Sequence, residues 1–222
     1  IGQSNHARLH AAACVRLGMK MVIVKPGPVN EPVQGNLLLD HMLGVEIVPT
    51  GTTDPVELEQ ALDDVLADLR RRGYTPYAST REPFSPLAGT IAFAEASIEL
   101  LDQLAAMNVR ADRIFLVGGT SAAGLGGKLL GAPYHVHACS VGSSGAVQTS
   151  GLLQREVQLA NGAAAILDLP PCIEEADFSV HEEYGQVYGV ATPETLEAIR
   201  IVARTEAIFL DPVYTGKAMA AL

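Results

Sequence analysis

Residues 114–124 read Ile-Phe-Leu-Val-Gly-Gly-Thr-Ser-Ala-Ala-Gly, and this stretch decides the fold class of the 222-residue chain. Its four apolar residues predict a short strand, and the paired glycines predict a tight turn from that strand into a helix. Short apolar strands and helical segments alternate in the same way on both sides of this stretch. The alternation predicts an α/β fold in which helices cover parallel sheets.

The turn at Gly118–Gly124 is also a candidate phosphate site. Glycines let the backbone approach a ligand closely, and the N–H groups and hydroxyls of Thr120 and Ser121 could then surround a phosphate. The spacing matches neither the dinucleotide pattern GxGxxG nor a P-loop, since Lys128 comes one turn too late. A tight turn that needs glycine only for packing explains the loop equally well, so both interpretations stay open.

A second candidate site stands at the start of the chain, where Gly2-Gln3-Ser4-Asn5-His6 precedes a helix predicted from Asn5 to Leu17. Small polar residues at a helix N-terminus can hold an anion and place a serine hydroxyl beside it. The alternative is that Ser4 is only a helix cap. Ser4 does not lie in a GxSxG elbow, which argues against a hydrolase. Because most enzymes do not begin at their active site, we expect part of the enzyme to precede Ile1.

Composition and charge argue against several classes of protein. The net charge of −10 argues against nucleic acid as a partner. The apolar runs are broken well short of the roughly 20 residues of a membrane-spanning helix. Apolar residues make up 48% of the chain, as is typical of parallel sheets that are buried on both faces. The three cysteines form no CxxC pair, so we expect reduced thiols and a cytoplasmic location.

The segment Thr80–Pro86, with two prolines and mixed charge, is the best candidate for a domain boundary. We therefore expect a small α/β domain at 1–84 and a large α/β cofactor-binding domain at 85–222. A strand is predicted at Tyr74–Ser79, and a helix from about Val147 to Leu167.

Two pairs of histidines could suggest a metal site. His6 and His10 lie one helical turn apart, and His135 and His137 alternate on a strand. A third ligand at a suitable spacing is missing in both cases. We therefore expect no metal.

Three further side chains each have a functional and a plainer interpretation. Tyr188 and Tyr214 lie near glycines in loops, where a phenol can stack on a planar ligand or relay a proton. Packing is the alternative for both. Lys217 could meet a carboxylate or form a Schiff base, but we interpret it as a solvated surface lysine.

Blocks of sequence spread over nearly the whole chain match one family in the right order. They are Gln3-Ser4-Asn5-His6, Gly35-Asn36-Leu37-Leu38-Leu39-Asp40, Gly118–Leu125, Tyr188-Gly189, Thr195–Ile199, Ala203–Glu206 and Asp211–Met219. These blocks resemble the pyridoxal-phosphate enzymes that include D-cysteine desulfhydrase and 1-aminocyclopropane-1-carboxylate (ACC) deaminase. The resemblance implies a two-domain fold-type II enzyme, similar to the tryptophan synthase β chain, with pyridoxal 5'-phosphate held between its domains. It also implies a small amino acid as substrate and a homodimer.

The resemblance further implies which residues act on the substrate. Ser4 would handle a proton or the substrate carboxylate, and Tyr188 and Tyr214 would flank the substrate as catalytic residues. Gln3 and His6 would contribute to substrate binding beside Ser4.

It also implies a set of cofactor contacts. Asn5 would bond the phenolic oxygen of the cofactor ring, and Thr215 would face the pyridine nitrogen. The cyclopropane deaminases look different at that point, because they have a carboxylate where this chain has Thr215. A hydroxyl holds a protonated ring nitrogen less well, and a weaker electron sink suits β-elimination better than ring opening. The residues expected around the phosphate are Gly118, Gly119, Thr120, Ser121, Ala123 and Gly124.

The expected reaction is therefore elimination from D-cysteine to give pyruvate, sulfide and ammonia. ACC deamination and cysteate sulfo-lyase activity are alternatives within the family, and a non-catalytic module that binds a phosphorylated metabolite is an alternative outside it. In the family the Schiff-base lysine precedes the block around Ser4, and neither Lys20 nor Lys25 is its equivalent. We therefore expect this chain by itself to turn over poorly.

Overall fold

The computed structural model describes residues 3–82, 84–142 and 151–222. The backbone divides into two compact units, Ile1–Tyr77 and Ala78–Leu222. The domain boundary predicted between residues 84 and 85 falls in the second unit, at the first residues of a long helix.

The first unit is a small α/β layer built on two parallel strands. Residues Val22 and Glu46 are opposite each other at one end of the pair, and Lys25 and Pro49 at the other. A carboxylate oxygen of Asp54 accepts from two backbone N–H groups and caps the last helix, as its Asp-Pro start predicts. The elements in order are α1 (Asn5–Arg16), β1 (Val22–Lys25), α2 (Gly35–Met42), β2 (Glu46–Pro49) and α3 (Pro55–Arg71).

The strand predicted at Tyr74–Ser79 is wrong. Residues 74–78 have no regular secondary structure, and Ser79–Arg81 form a single 3-10 turn. Tyr74 is instead held by side chains, because the Lys20 ammonium donates to its phenol and lies over its ring. The residue types favour a strand, but a strand also needs a hydrogen-bonded neighbour.

The second unit holds a parallel sheet of three strands that are covered by helices. Val136 lies opposite Ile114 on one side and Phe178 on the other. The core between sheet and helices contains Leu125, Val136, Ala163 and Phe178. The elements in order are α4 (Phe84–Ala106), β3 (Arg113–Leu116), α5 (Thr120–Leu130), β4 (His135–Cys139), α6 (Leu152–Ile166), β5 (Phe178–His181), α7 (Pro193–Glu206) and α8 (Thr215–Ala221).

The α/β fold class with parallel sheets is confirmed, although strand β5 was not predicted from the sequence. Strand β5 spans only Phe178–His181, and its two polar residues hide the apolar pattern of a buried strand. The α6 helix begins at Leu152, and residues 147–150 of the predicted helix lie outside the described residues.

The α4 helix is long and apolar. Among the described residues it is the one helix with the length and composition of a membrane span. Ile91, Leu100 and Leu101 on this helix pack against the core of the second unit, and Glu95 and Glu99 also lie on it.

Candidate active site

The predicted site residues fall in both units, and each set is described within its own unit. In the first unit Ser4 caps α1, because its Oγ accepts a hydrogen bond from the Ala7 N–H at 3.1 Å. The cap interpretation of Ser4 is therefore confirmed. The hydroxyl keeps its own proton and one lone pair for other contacts, so capping does not exclude a second role.

A polar network joins the residues around Ser4 to the start of α2. The Gln3 Oε1 accepts from the Asn36 N–H at 2.9 Å, and the Asn36 side chain donates to the Gln3 carbonyl at 3.0 Å and to Asn5 Oδ1 at 2.7 Å. Gly35 has φ of +55°, in the left-handed region that favours glycine, and a Cβ there would lie 2.3 Å from Gln3 Oε1 and displace that amide. Asn36 was not predicted from the sequence as a partner of Gln3 and Asn5. The resemblance of the Gly35-Asn36 block was the signal that could have revealed it.

The histidines contact one another or neighbouring polar groups. His10 Nδ1 donates to the His6 carbonyl at 3.0 Å, and partial burial together with His10 lowers the pKa of His6. His137 and His181 share a hydrogen bond of 2.9 Å, while the His135 ring bonds a serine hydroxyl on the next strand. In the part of the chain that the structure describes, no three His, Cys, Asp or Glu side chains are grouped as metal ligands would be.

In the second unit the glycine turn brings the chain from β3 into α5. Gly118 and Gly119 have φ of +76° and +70°, in the left-handed region. A Cβ on Gly119 would lie 2.8 Å from the ring of Phe93 on α4. Glycine is therefore needed at position 119 for two reasons: its backbone conformation and the close approach of the Phe93 ring. As the N-cap of α5 it has no side chain, so no local acceptor serves the first N–H groups of the helix.

The first turn of α5 is buried and rich in donors. Thr120 and Ser121 are 3% and 5% exposed. The Ser121 N–H donates at 2.7 Å to a carboxylate oxygen of Glu156, which comes from α6. Thr90 donates its proton to the Pro86 carbonyl at 3.0 Å, so the Ser121 hydroxyl must be the donor in its 3.4 Å contact with Thr90. A carboxylate already lies at this helix start, which shows that the donors suit an anion.

The two remaining residues of the predicted phosphate set lie further into the helix. The Ala123 N–H donates to the Gly119 carbonyl at 2.9 Å, and so belongs to the helical ladder. A Cβ on Gly124 would lie 2.6 Å from the ring of Phe178. Both residues pack the helix onto the sheet, and their role toward a phosphate stays a prediction.

Tyr188 and Tyr214 lie together, with their hydroxyl oxygens 2.5 Å apart. Their rings meet edge to face, with centroids 6.2 Å apart. Burial and the hydrogen bond with Tyr188 raise the pKa of Tyr214 to about 12. Tyr214 therefore keeps its proton at neutral pH. One phenol proton forms the hydrogen bond within the pair, and the other can be donated to a ligand.

Thr215 directly follows Tyr214 and begins α8. Its hydroxyl donates to Asp211 Oδ2 at 2.6 Å and accepts from the Asp211 N–H at 3.0 Å. The same carboxylate accepts three backbone N–H bonds, one of them from Thr215 at the start of α8. Burial alone would raise the pKa of Asp211, but the hydrogen bonds from Thr215 and Tyr214 outweigh it and lower the pKa. Because its one proton is committed to Asp211, Thr215 offers a ligand only a lone pair.

The interpretation of Lys217 as a surface lysine is wrong. Its side chain is fully buried, and its ammonium donates to the Val141 carbonyl at 2.7 Å and the Val187 carbonyl at 3.0 Å. Burial lowers the pKa of Lys217. Lys217 thus ties α8 to the segment after β4 and to the segment that carries Tyr188. Nothing in the local sequence distinguishes it from an exposed lysine.

Residues 1–222 match the family described as pyridoxal-phosphate dependent enzyme. The chain belongs to this family. A putative ACC deaminase of Pyrococcus furiosus is 33% identical over 220 residues, which cover 97% of this chain and 64% of that protein. An ACC deaminase of Bradyrhizobium sp. is 32% identical over 232 residues, which cover 98% of this chain and 66% of that protein.

A solved structure of an ACC deaminase homologue has a TM-score of 0.77 and 30% identity, covering 99% of this chain and 65% of that one. The fold-type II architecture is thereby confirmed for a chain that spans about two thirds of its relatives. Pyridoxal 5'-phosphate is the cofactor of this family. The Ser121 N–H already donates to a carboxylate, so the start of α5 fits the anionic phosphate of this cofactor.

Proposed function

We propose that the protein is a pyridoxal-phosphate dependent lyase that releases ammonia from a small amino acid, with D-cysteine as the favoured substrate. The observation that carries the proposal is the start of α8, where a phenol pair and a hydroxyl follow one another at Tyr214 and Thr215. The family membership supports the cofactor. The choice of D-cysteine rests on Thr215, a neutral group where the cyclopropane deaminases have a carboxylate.

In this proposal residues at three helix starts, those of α1, α5 and α8, contact the cofactor. The turn at Gly118–Gly119, Thr120 and Ser121 holds its phosphate, Asn5 bonds the phenolic oxygen of its ring, and Thr215 faces the ring nitrogen. When bound, the cofactor supplies an electron sink for the pair of electrons left at the α-carbon.

The chain itself supplies the proton transfers. Ser4 handles the α-proton or the substrate carboxylate, with Gln3 and His6 beside it. In elimination the carbon–sulfur bond breaks and its electron pair goes to sulfur. In this proposal the pair formed by Tyr214 and Tyr188 gives sulfur its proton, although its raised pKa makes Tyr214 a weaker acid than an ordinary tyrosine.

One observation favours ACC as a second candidate substrate. The Asp211 carboxylate takes the Thr215 proton, so Thr215 can accept a hydrogen bond from a protonated ring nitrogen. The negative charge of Asp211 lies one hydrogen bond further from the cofactor ring than a carboxylate at position 215 would. It still favours the protonated form of the ring nitrogen. This weakens the argument that the chain has a poor electron sink. Relatives named ACC deaminase support the same candidate.

A substrate panel separates these candidates. The polypeptide expressed from its complete reading frame is supplied with pyridoxal 5'-phosphate and incubated with D-cysteine, L-cysteine, cysteate or ACC, and pyruvate, sulfide and 2-oxobutanoate are measured. The 222 residues alone, which we expect to turn over poorly, are the comparison. Equal amounts of pyruvate and sulfide from D-cysteine are expected. 2-Oxobutanoate from ACC with no sulfide from D-cysteine would select the second candidate. Tight cofactor binding with no product from any compound would select a non-catalytic binding module.

Two further proposals come from the resemblance to the family. We propose a homodimer in the cytoplasm, and sedimentation of the purified polypeptide tests the dimer. A single species at the mass of one chain over the micromolar range would contradict it.

A further inference from the structure

The first turn of α5 is served by an unusual cap. Glu156 reaches it from α6, and its Oε2 lies 2.7 Å from the Ser121 N–H. The side chain is 9% exposed. In the described ranges, no lysine or arginine forms an ion pair with it. A buried carboxylate without a cation needs another source of positive potential, and here this source is the helix N-terminus.

The carboxylate uses a donor that a phosphate in this turn would need. One backbone N–H cannot give a full hydrogen bond to two anions at once, and two anions this close repel each other. The hydroxyl of Ser121 makes only a long contact of 3.4 Å with Thr90. The competition with a phosphate therefore concerns the Ser121 N–H, which the protein itself already uses.

We propose that Glu156 is a built-in competitor for the phosphate of the cofactor, which holds the Ser121 N–H until phosphate displaces it and thereby sets the affinity of the site. This inference rests on the proposed function, because it assumes that α5 binds the cofactor phosphate. It assigns to Glu156 a role that its place in the second turn of α6 does not suggest. The rest of the α5 start stays available, since Thr120 makes no side-chain hydrogen bond with the described part of the chain.

Two variants separate charge from capping. Glu156→Gln keeps an oxygen that can accept from the Ser121 N–H but removes the negative charge. Glu156→Ala removes both, and leaves the N–H free for phosphate. Glu197→Gln is the matched control for the loss of one negative charge, because Glu197 is exposed on α7 and its 3.5 Å ion pair with Arg200 is a surface pair that contributes little.

The experiment is a titration of each purified chain with inorganic phosphate, in which binding is measured by calorimetry and by the phosphorus NMR resonance. Thermal melting confirms that each variant is folded. We expect Glu156→Gln to bind phosphate about tenfold more tightly, Glu156→Ala at least as tightly as Glu156→Gln, and Glu197→Gln like the unaltered chain. The amide resonance of Ser121 should move on phosphate binding in every chain.

Three outcomes would count against the proposal in different ways. If folded Glu156→Gln and Glu156→Ala bind phosphate no more tightly than the unaltered chain, Glu156 is only a helix cap and this inference fails alone. If Glu197→Gln gains as much affinity as Glu156→Gln, the effect is general charge repulsion, and again only this inference fails. If no chain binds phosphate or pyridoxal 5'-phosphate, the proposed function fails as well.

Discussion

The N-termini of α1 and α5 are both predicted anion sites, yet they are completed in opposite ways. At α1 the cap is local, because Ser4 accepts from the Ala7 N–H three residues on. At α5 the N-cap is Gly119, which has no side chain, and the acceptor comes from Glu156, 35 residues after Ser121. At the start of α1 a neighbouring side chain accepts from a free backbone N–H group. At the start of α5 the acceptor is a charged group that is distant in sequence. A helix start that lacks its own cap is the better place for an exchangeable anion.

The largest expected effect is at the turn that opens α5. Gly119→Ala forces a side chain into the left-handed region and against the Phe93 ring, so we expect a loss of roughly 2–4 kcal/mol of unfolding free energy. Gly131→Ala, at the other end of the same helix, has φ of +63° but no atom within 4 Å of the new Cβ. It should cost only about 1 kcal/mol. Equal losses in chemical denaturation would show that the Phe93 contact contributes nothing.

The α8 start offers a local cap that is charged, unlike Ser4. Asp211→Asn should cost about 1 kcal/mol in urea denaturation, because the carboxylate accepts three backbone N–H bonds and the Thr215 hydroxyl. Since the folded pKa of Asp211 lies below its ordinary 3.8, its stabilisation is present above that pH and is lost as the pH falls through the folded pKa. Asp211→Asn should therefore reduce the fall in unfolding free energy as the pH is lowered. A variant with the same acid dependence as the unaltered chain would contradict this assignment.

The helix caps could be predicted from the sequence, because each cap depends on residues that are neighbours in the chain. Ser4, Asp54 and Asp211 cap helices within four residues of themselves, and composition and spacing reveal such caps. Glu156 and Lys217 could not be found in this way. Their partners lie 35 and 76 residues away in the chain, and only the folded sheet brings them together.

At α1 a variant pair separates capping from chemistry. Ser4→Ala removes the acceptor of the Ala7 N–H and should cost about 1 kcal/mol, whereas Ser4→Asn keeps a good cap and should cost little. Both should lower any lyase activity if the hydroxyl acts on the substrate. Full activity in Ser4→Asn would reduce Ser4 to a cap.

The smallest expected effect is in the polar network beside Ser4. Asn36→Ala removes the hydrogen bonds to the Gln3 carbonyl and Asn5 Oδ1, and we expect a loss of about 0.5–1 kcal/mol because the site is partly exposed. Asn36→Asp keeps the size of the side chain but cannot donate. A thermal melt in which Asn36→Asp matches the unaltered chain would show that these bonds do not stabilise the first unit.

The most direct test of the account is to map inorganic phosphate on the chain through its backbone amide resonances. We predict that the amides of Thr120 and Ser121 shift in a saturable way, while the Ala7 amide, already capped by Ser4, does not move. Saturable shifts at Ala7 with α5 unchanged would contradict the assignment of the phosphate to the glycine turn.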